Sequence, residues 1–192
     1  HEITRLLEEL RSGVPAAKER LVDAVYQELK RMARFQLRGE APGQSVQASA
    51  LVNDLYIRML GGDRGNWENR GHFYVAAAAN MRRILIDRAR ARRAQKRGGA
   101  LVRVNLDDEL RVYAEADSSS VEQLLALDEA LKELAVLDER QARIVELRFF
   151  AGLTGDEAAA ALGLSRRTVM REWSMARAWL HDRIQSSSGT RS

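Results

Sequence analysis

Apolar positions along this chain recur at steps of three and four in successive stretches, the spacing of one face of an α-helix. Leu21, Val25, Leu29 and Met32 form the first such series. Pro15, a residue suited to a first helical turn, precedes it, and Gly39 closes it. Gly39 to Gln47 has the Gly, Pro, Ser and Gln composition of a loop, and a second series follows from Ser49 to Leu60, stopped by Gly61 and Gly62. Asn69 is placed to cap a long helix that starts near Gly71 and runs through Phe73, Ala77, Ile84 and Leu85 into a group of arginines, ending at Gly98 and Gly99. Periodicity is poor from Ala100 to Ser120, returns at Val121 with Leu124, Leu125, Leu127, Leu131, Leu134 and Leu137, and continues with short breaks at Gly152 and Gly163. The expected fold is all-α, with two helical domains, residues 1–98 and 121–186, the second carrying a helix-turn-helix. A flexible acidic linker at 99–120 joins them, and 187–192 form a disordered tail.

Composition narrows the function. The chain has 192 residues, of which 45% are hydrophobic and 30% charged, enough to build cores and a wide solvated surface. It contains no cysteine, which excludes a disulfide framework and thiolate metal sites and points to the cytoplasm. No apolar run approaches the roughly 18 residues that would suggest a membrane span. A net charge of +4 says little by itself, but its distribution says more. Arg82 to Arg97 holds eight Arg or Lys against one Asp, whereas Asp107 to Glu133 holds nine acids against two basic residues. A basic helix followed by an acidic connector fits a nucleic-acid face plus a linker, and the two predict an intramolecular contact that weakens DNA binding by the free protein. The plainer alternative for the arginines is a solvated helix end.

The sharpest local pattern spans Thr154 to Leu180. Thr154 and Glu157 have capping-box spacing, Gly163 suits a left-handed turn, and Ser165 is placed to cap a second helix anchored by Val169. In a helix-turn-helix the start of the second helix enters the major groove. Ser165, Arg166, Arg167, Thr168, Arg171 and Glu172 are therefore the candidate DNA contacts, with arginines suited to guanine and Glu172 to cytosine. Trp173, Met175, Ala176, Trp179 and Leu180 read as packing residues. The rival reading is an ordinary helical hairpin with surface arginines.

These motifs, in this order, resemble the extracytoplasmic-function (ECF) subfamily of sigma-70 factors. The segment Ser49-Ala-Leu-Val-Asn-Asp-Leu-Tyr-Ile-Arg-Met-Leu60 is similar to that family's polymerase-binding helix. Trp67-Glu-Asn-Arg-Gly-His-Phe73 and Met81-Arg-Arg-Ile-Leu-Ile-Asp-Arg-Ala-Arg90 are similar to the part that melts and reads the promoter −10 element. Glu146-Leu-Arg-Phe-Phe-Ala-Gly-Leu-Thr154 and Leu164-Ser-Arg-Arg-Thr-Val169 resemble its −35-reading region. The resemblance implies binding to core RNA polymerase, at the clamp of the largest subunit and the flap of the second largest, and to promoter DNA, with an anti-sigma factor as a further partner. It assigns Asn53, Asp54, Ile57 and Arg58 to polymerase contact, because Leu51, Val52, Leu55, Tyr56, Met59 and Leu60 share the opposite face. It assigns Asn66, Trp67, Asn69, Asn80, Arg83, Asp87 and Arg88 to the −10 element. Read without the family, Trp67 is as good a core-edge aromatic as a stacking platform for an unpaired base, and Asn80 competes as a buried structural amide.

An enzyme is not expected. His72 and His181 lie far apart in sequence without a companion ligand set, no nucleophilic cysteine exists, and the acids from Asp107 to Asp117 lack calcium-loop spacing. No cofactor or metal is expected. The rival to a sigma factor is a stand-alone dimeric helix-turn-helix regulator, which would leave Trp67 to Arg97 unexplained.

Overall fold

A computed structural model of the chain describes residues 2–37, 45–60, 67–95 and 118–189. Within them lie eight α-helices and no strand: α1 Glu2–Arg11, α2 Ala17–Gln36, α3 Ser45–Leu60, α4 Arg70–Gln95, α5 Ser118–Leu137, α6 Glu139–Val145, α7 Gly155–Leu162 and α8 Arg166–Gly189. A π-helical turn, Glu146–Phe150, continues α6. The fold is all-α, as expected.

The expected series are buried in the α2 and α3 helices. Leu21, Val25, Leu29 and Met32 of α2 all face the interior, and so do Leu51, Val52, Leu55 and Met59 of α3. Pro15 stands two residues before α2, and Ala16, at φ 61°, turns the chain into it. Helix α1 was not among the expected elements. It is only ten residues long and buries Ile3, Leu6 and Leu7, too few repeats to stand out as a periodic series. The Ser118–Ser120 triplet, expected as a boundary, begins α5. Residues 99–117 of the expected linker, together with Asn66, lie outside the described residues.

Helix α4 is central. It buries Phe73, Tyr74, Ala77, Ala78, Met81, Ile84, Leu85, Ile86 and Ala89, which together encircle much of its circumference. That distribution follows from its neighbours, since α3 packs on one side of it and α5, the π turn and α7 pack on another. The segments 1–98 and 121–186 therefore share a continuous apolar core. Polar contacts reinforce the junction. The Gln36 amide donates to the carbonyls of Phe149 and Phe150, at 2.6 and 2.9 Å, at the end of the π turn. Those carbonyls belong to the last turn of a helix, where the intrahelical N–H donors run out.

Candidate nucleic-acid interface

The turn from α7 to α8 is built by local chemistry. The Thr154 hydroxyl accepts from the Glu157 amide at 3.2 Å while the Glu157 carboxylate accepts from the Thr154 amide at 2.8 Å, a complete capping box. Gly163 adopts φ 66°, a conformation costly for a side chain. The Ser165 hydroxyl accepts from the Thr168 amide at 3.1 Å, and the two hydroxyls lie 2.8 Å apart. Val169 and Ala159 are buried where the helices meet. The structure thus contains two short-linked helices, with the second one's start facing outward.

At that start Arg166, Arg167 and Arg171 are exposed, and Arg166 pairs with Asp156 at 3.5 Å. Glu172 differs from them. Its side chain is 3% exposed, and both carboxylate oxygens are held by Arg140 of α6, at 2.7 and 2.8 Å. In this arrangement it points into the protein rather than toward a base edge, one helical position beyond the exposed arginine. Trp173, Ala176 and Leu180 are buried and Trp179 is half-buried, whereas Met175, expected to pack, is exposed. The Arg148 guanidinium lies over the Trp173 ring, 4.7 Å from its centre.

The α3 and α4 candidates meet one another. Arg58 pairs with Asp87 at 3.1 Å and Arg88 with Asp54 at 2.7 Å, so the proposed polymerase and −10 residues form two cross-links between the helices. Asn53 is exposed, and Ile57 is 61% exposed among these charges. Arg83 is exposed. Asn69 caps α4, its side-chain oxygen accepting from the His72 amide at 3.0 Å. Asn80, half-buried, donates to the Ala76 carbonyl at 2.9 Å and lies beside Met59. Trp67 is 5% exposed and packs edge-on against Phe73, at the core edge. Arg11 fixes the same approach to α4 by donating to the Glu68 carbonyl at 2.8 Å.

Sequence reasoning missed one group. Arg82, half-buried on α4, binds Asp128 of α5 at 2.8 Å and Glu146 of the π turn at 2.7 Å, and it donates to the Asp128 carbonyl at 2.9 Å. Arg90 reaches Asp128 at 3.6 Å and Arg93 reaches Glu122 at 3.5 Å. The charge segregation of the sequence signalled that basic and acidic stretches would meet. It could not say which acids, because that depends on how α5 lies against α4.

Among the described residues no group of three or more His, Cys, Asp or Glu is arranged to hold a metal ion, and no helix is long and apolar enough to cross a membrane. An all-helical chain with a capped helix-turn-helix and a basic central helix has the attributes of a DNA-binding transcription protein. The chain matches the ECF sigma factor family over residues 1–186, and it belongs to that family. It therefore serves transcription initiation with RNA polymerase rather than catalysis. Searches of curated proteins and of solved structures returned no match.

Proposed function

We propose that the chain works as a two-part promoter reader. The 121–186 segment reads the −35 element through Ser165, Arg166, Arg167, Thr168 and Arg171, and the 1–98 segment binds core polymerase and opens the −10 element. The observation that carries this reading is the outward array of Arg166, Arg167 and Arg171 at the start of a helix whose turn is fully capped. A helix presented that way enters a major groove end-on, with forked guanidinium groups available for guanine or phosphate. Glu172 acts through Arg140 to set the angle of α8.

The exposed Ile57, flanked by Asn53, Asp54 and Arg58, suits a protein surface, and we assign it to the polymerase clamp. Val136 and Leu137 at the end of α5 are 87% and 68% exposed, an apolar pair suited to the flap. Asn69, Arg83, Asp87 and Arg88 surround the −10 face, with Trp67 becoming a stacking surface only if its contact with Phe73 loosens. The protein would act in the cytoplasm, where an anti-sigma factor could cover these same surfaces.

The test is co-elution with bacterial core RNA polymerase on gel filtration, followed by initiation assays on a pool of genomic fragments. New discrete start sites, lost on substitution of Asn53, Asp54 and Arg58, are the expected result. Failure to bind core, with tight binding of the free protein to palindromic duplexes as a dimer, would instead support the regulator reading.

A further inference from the structure

The outward face of α8 carries one large apolar side chain near its start, Met170. At about 100° per residue, Arg166, Met170, Ser174, Arg167 and Arg171 share an arc of about 140°, with Met170 inside the arc rather than at its rim. All five are exposed. The buried residues Val169, Glu172, Trp173, Ala176 and Leu180 occupy a separate arc of about 100°. Met170, 38% exposed, is therefore the apolar member of a face that is otherwise cationic or polar, and it does not belong to the side of α8 that packs.

An isolated exposed methionine is ordinary on a protein surface, but this one is held in place. Arg148 of the π turn, whose guanidinium lies over the Trp173 ring, donates from Nη1 to the Met170 sulfur at 3.1 Å. Gly155, the first residue of α7, leaves the space that the sulfur fills, since a Cβ there would stand 2.8 Å from it. Three elements thus fix one thioether on the face that carries the arginines. A side chain already held loses less conformational freedom when it meets a ligand, which is the condition for a selective contact.

We propose that Met170 is a base-reading side chain that recognises the 5-methyl group of a thymine. In the major groove thymine presents that methyl, and an apolar side chain is its complement. The neighbouring arginines match guanine or phosphate, and the unbranched, polarisable thioether supplies the apolar contact they lack. The inference deepens the assignment of α8 to the major groove and rests on it, but it does not depend on polymerase binding. Burying one methyl group corresponds to about fourfold in affinity, so the contact sets a preference at one base pair rather than the overall strength of binding.

The test removes the methyl from the DNA. Duplexes are selected from a random pool by the full-length protein, once with bacterial core RNA polymerase and once without it. Each thymine of the selected duplex is then replaced in turn by deoxyuridine, which differs only in lacking the 5-methyl group, and affinity is read by fluorescence anisotropy. The parent should lose about fourfold at one thymine. Met170→Leu, apolar and of similar volume, should keep that sensitivity. Met170→Gln, close in length but polar, and Met170→Ala should bind the thymine and deoxyuridine duplexes equally. Because the parent protein is unchanged in the deoxyuridine series, a folding defect in any variant cannot produce or hide its result. Parent affinity unchanged within about twofold at every deoxyuridine position would overturn the proposal. So would a sensitive thymine that remains equally sensitive in Met170→Gln and Met170→Ala. Selection that succeeds only without core polymerase would remove the sigma reading and leave the thymine test intact. Selection that yields no common sequence in either arm would overturn the major-groove assignment of α8 and this inference with it.

Discussion

A single side chain can have its role set by what surrounds it, and Glu172 illustrates this. Its place in the sequence, next to an exposed arginine near the start of α8, gives it the profile of a base reader. In the structure it is buried and held by two contacts from Arg140. The two partners are unequal, since Arg140 is largely exposed and Glu172 is not. Removing Glu172 leaves a guanidinium that water can solvate. Removing Arg140 leaves a buried carboxylate with Arg171 at 3.6 Å. Arg140→Ala should therefore cost about 2 to 3 kcal/mol and Glu172→Gln about 1 kcal/mol, measured by urea denaturation. Equal costs would show the carboxylate to be hydrated. Trp67 and Asn80 follow the same logic, as the sequence admitted a ligand role and a packing role for each. In the free chain the Trp67 ring lies against Phe73 and the Asn80 amide bonds back to Ala76.

Individual helices were legible wherever their end signals are chemical. Asn69, Thr154, Gly163 and Ser165 all perform the capping or turning roles their residue types imply, because a cap involves only neighbours in sequence. Thr154→Ala should destabilise the protein by about 1 kcal/mol, seen as a lower midpoint in thermal denaturation. The same box carries a pH dependence. Burial opposes the charge on Glu157, but the Thr154 amide and hydroxyl, with Arg31 and Arg70, outweigh it and hold its pKa below the ordinary carboxyl value. A carboxyl lowered by folding stabilises the fold above its unfolded titration range, and that contribution is lost as pH falls through the folded value. Protection of the Thr154 amide from exchange should consequently weaken on acidification and change little between pH 6 and 8. The π turn had no such signal. Its extra residue per turn, marked by the Ala151 amide bonding to Glu146, accompanies contacts from Gln36 and Arg82 that arrive from distant parts of the chain.

For the whole molecule, the informative position is Arg82, which joins α4 to α5 and the π turn through Asp128 and Glu146. Deleting it leaves two poorly hydrated carboxylates near each other, with Asp128 retaining Lys132 and Arg90. Arg82→Ala should cost about 3 kcal/mol in urea denaturation, whereas Arg83→Ala, one residue along and exposed, should stay within about 0.5 kcal/mol. Similar small effects at both would mean that the two segments do not hold each other in solution. The helical class, most helix positions, the caps and the family motifs were determined by the sequence itself, since periodicity, capping and motif order depend on residues close together along the chain. The burial of Glu172 and Trp67, the inward face of α4 toward α5, and the choice of Asp128 and Glu146 as partners for Arg82 were decided only by tertiary structure. Each of these requires two elements separated by dozens of residues to pack in one register, and a helix's own periodicity states which face is apolar without stating what will cover it.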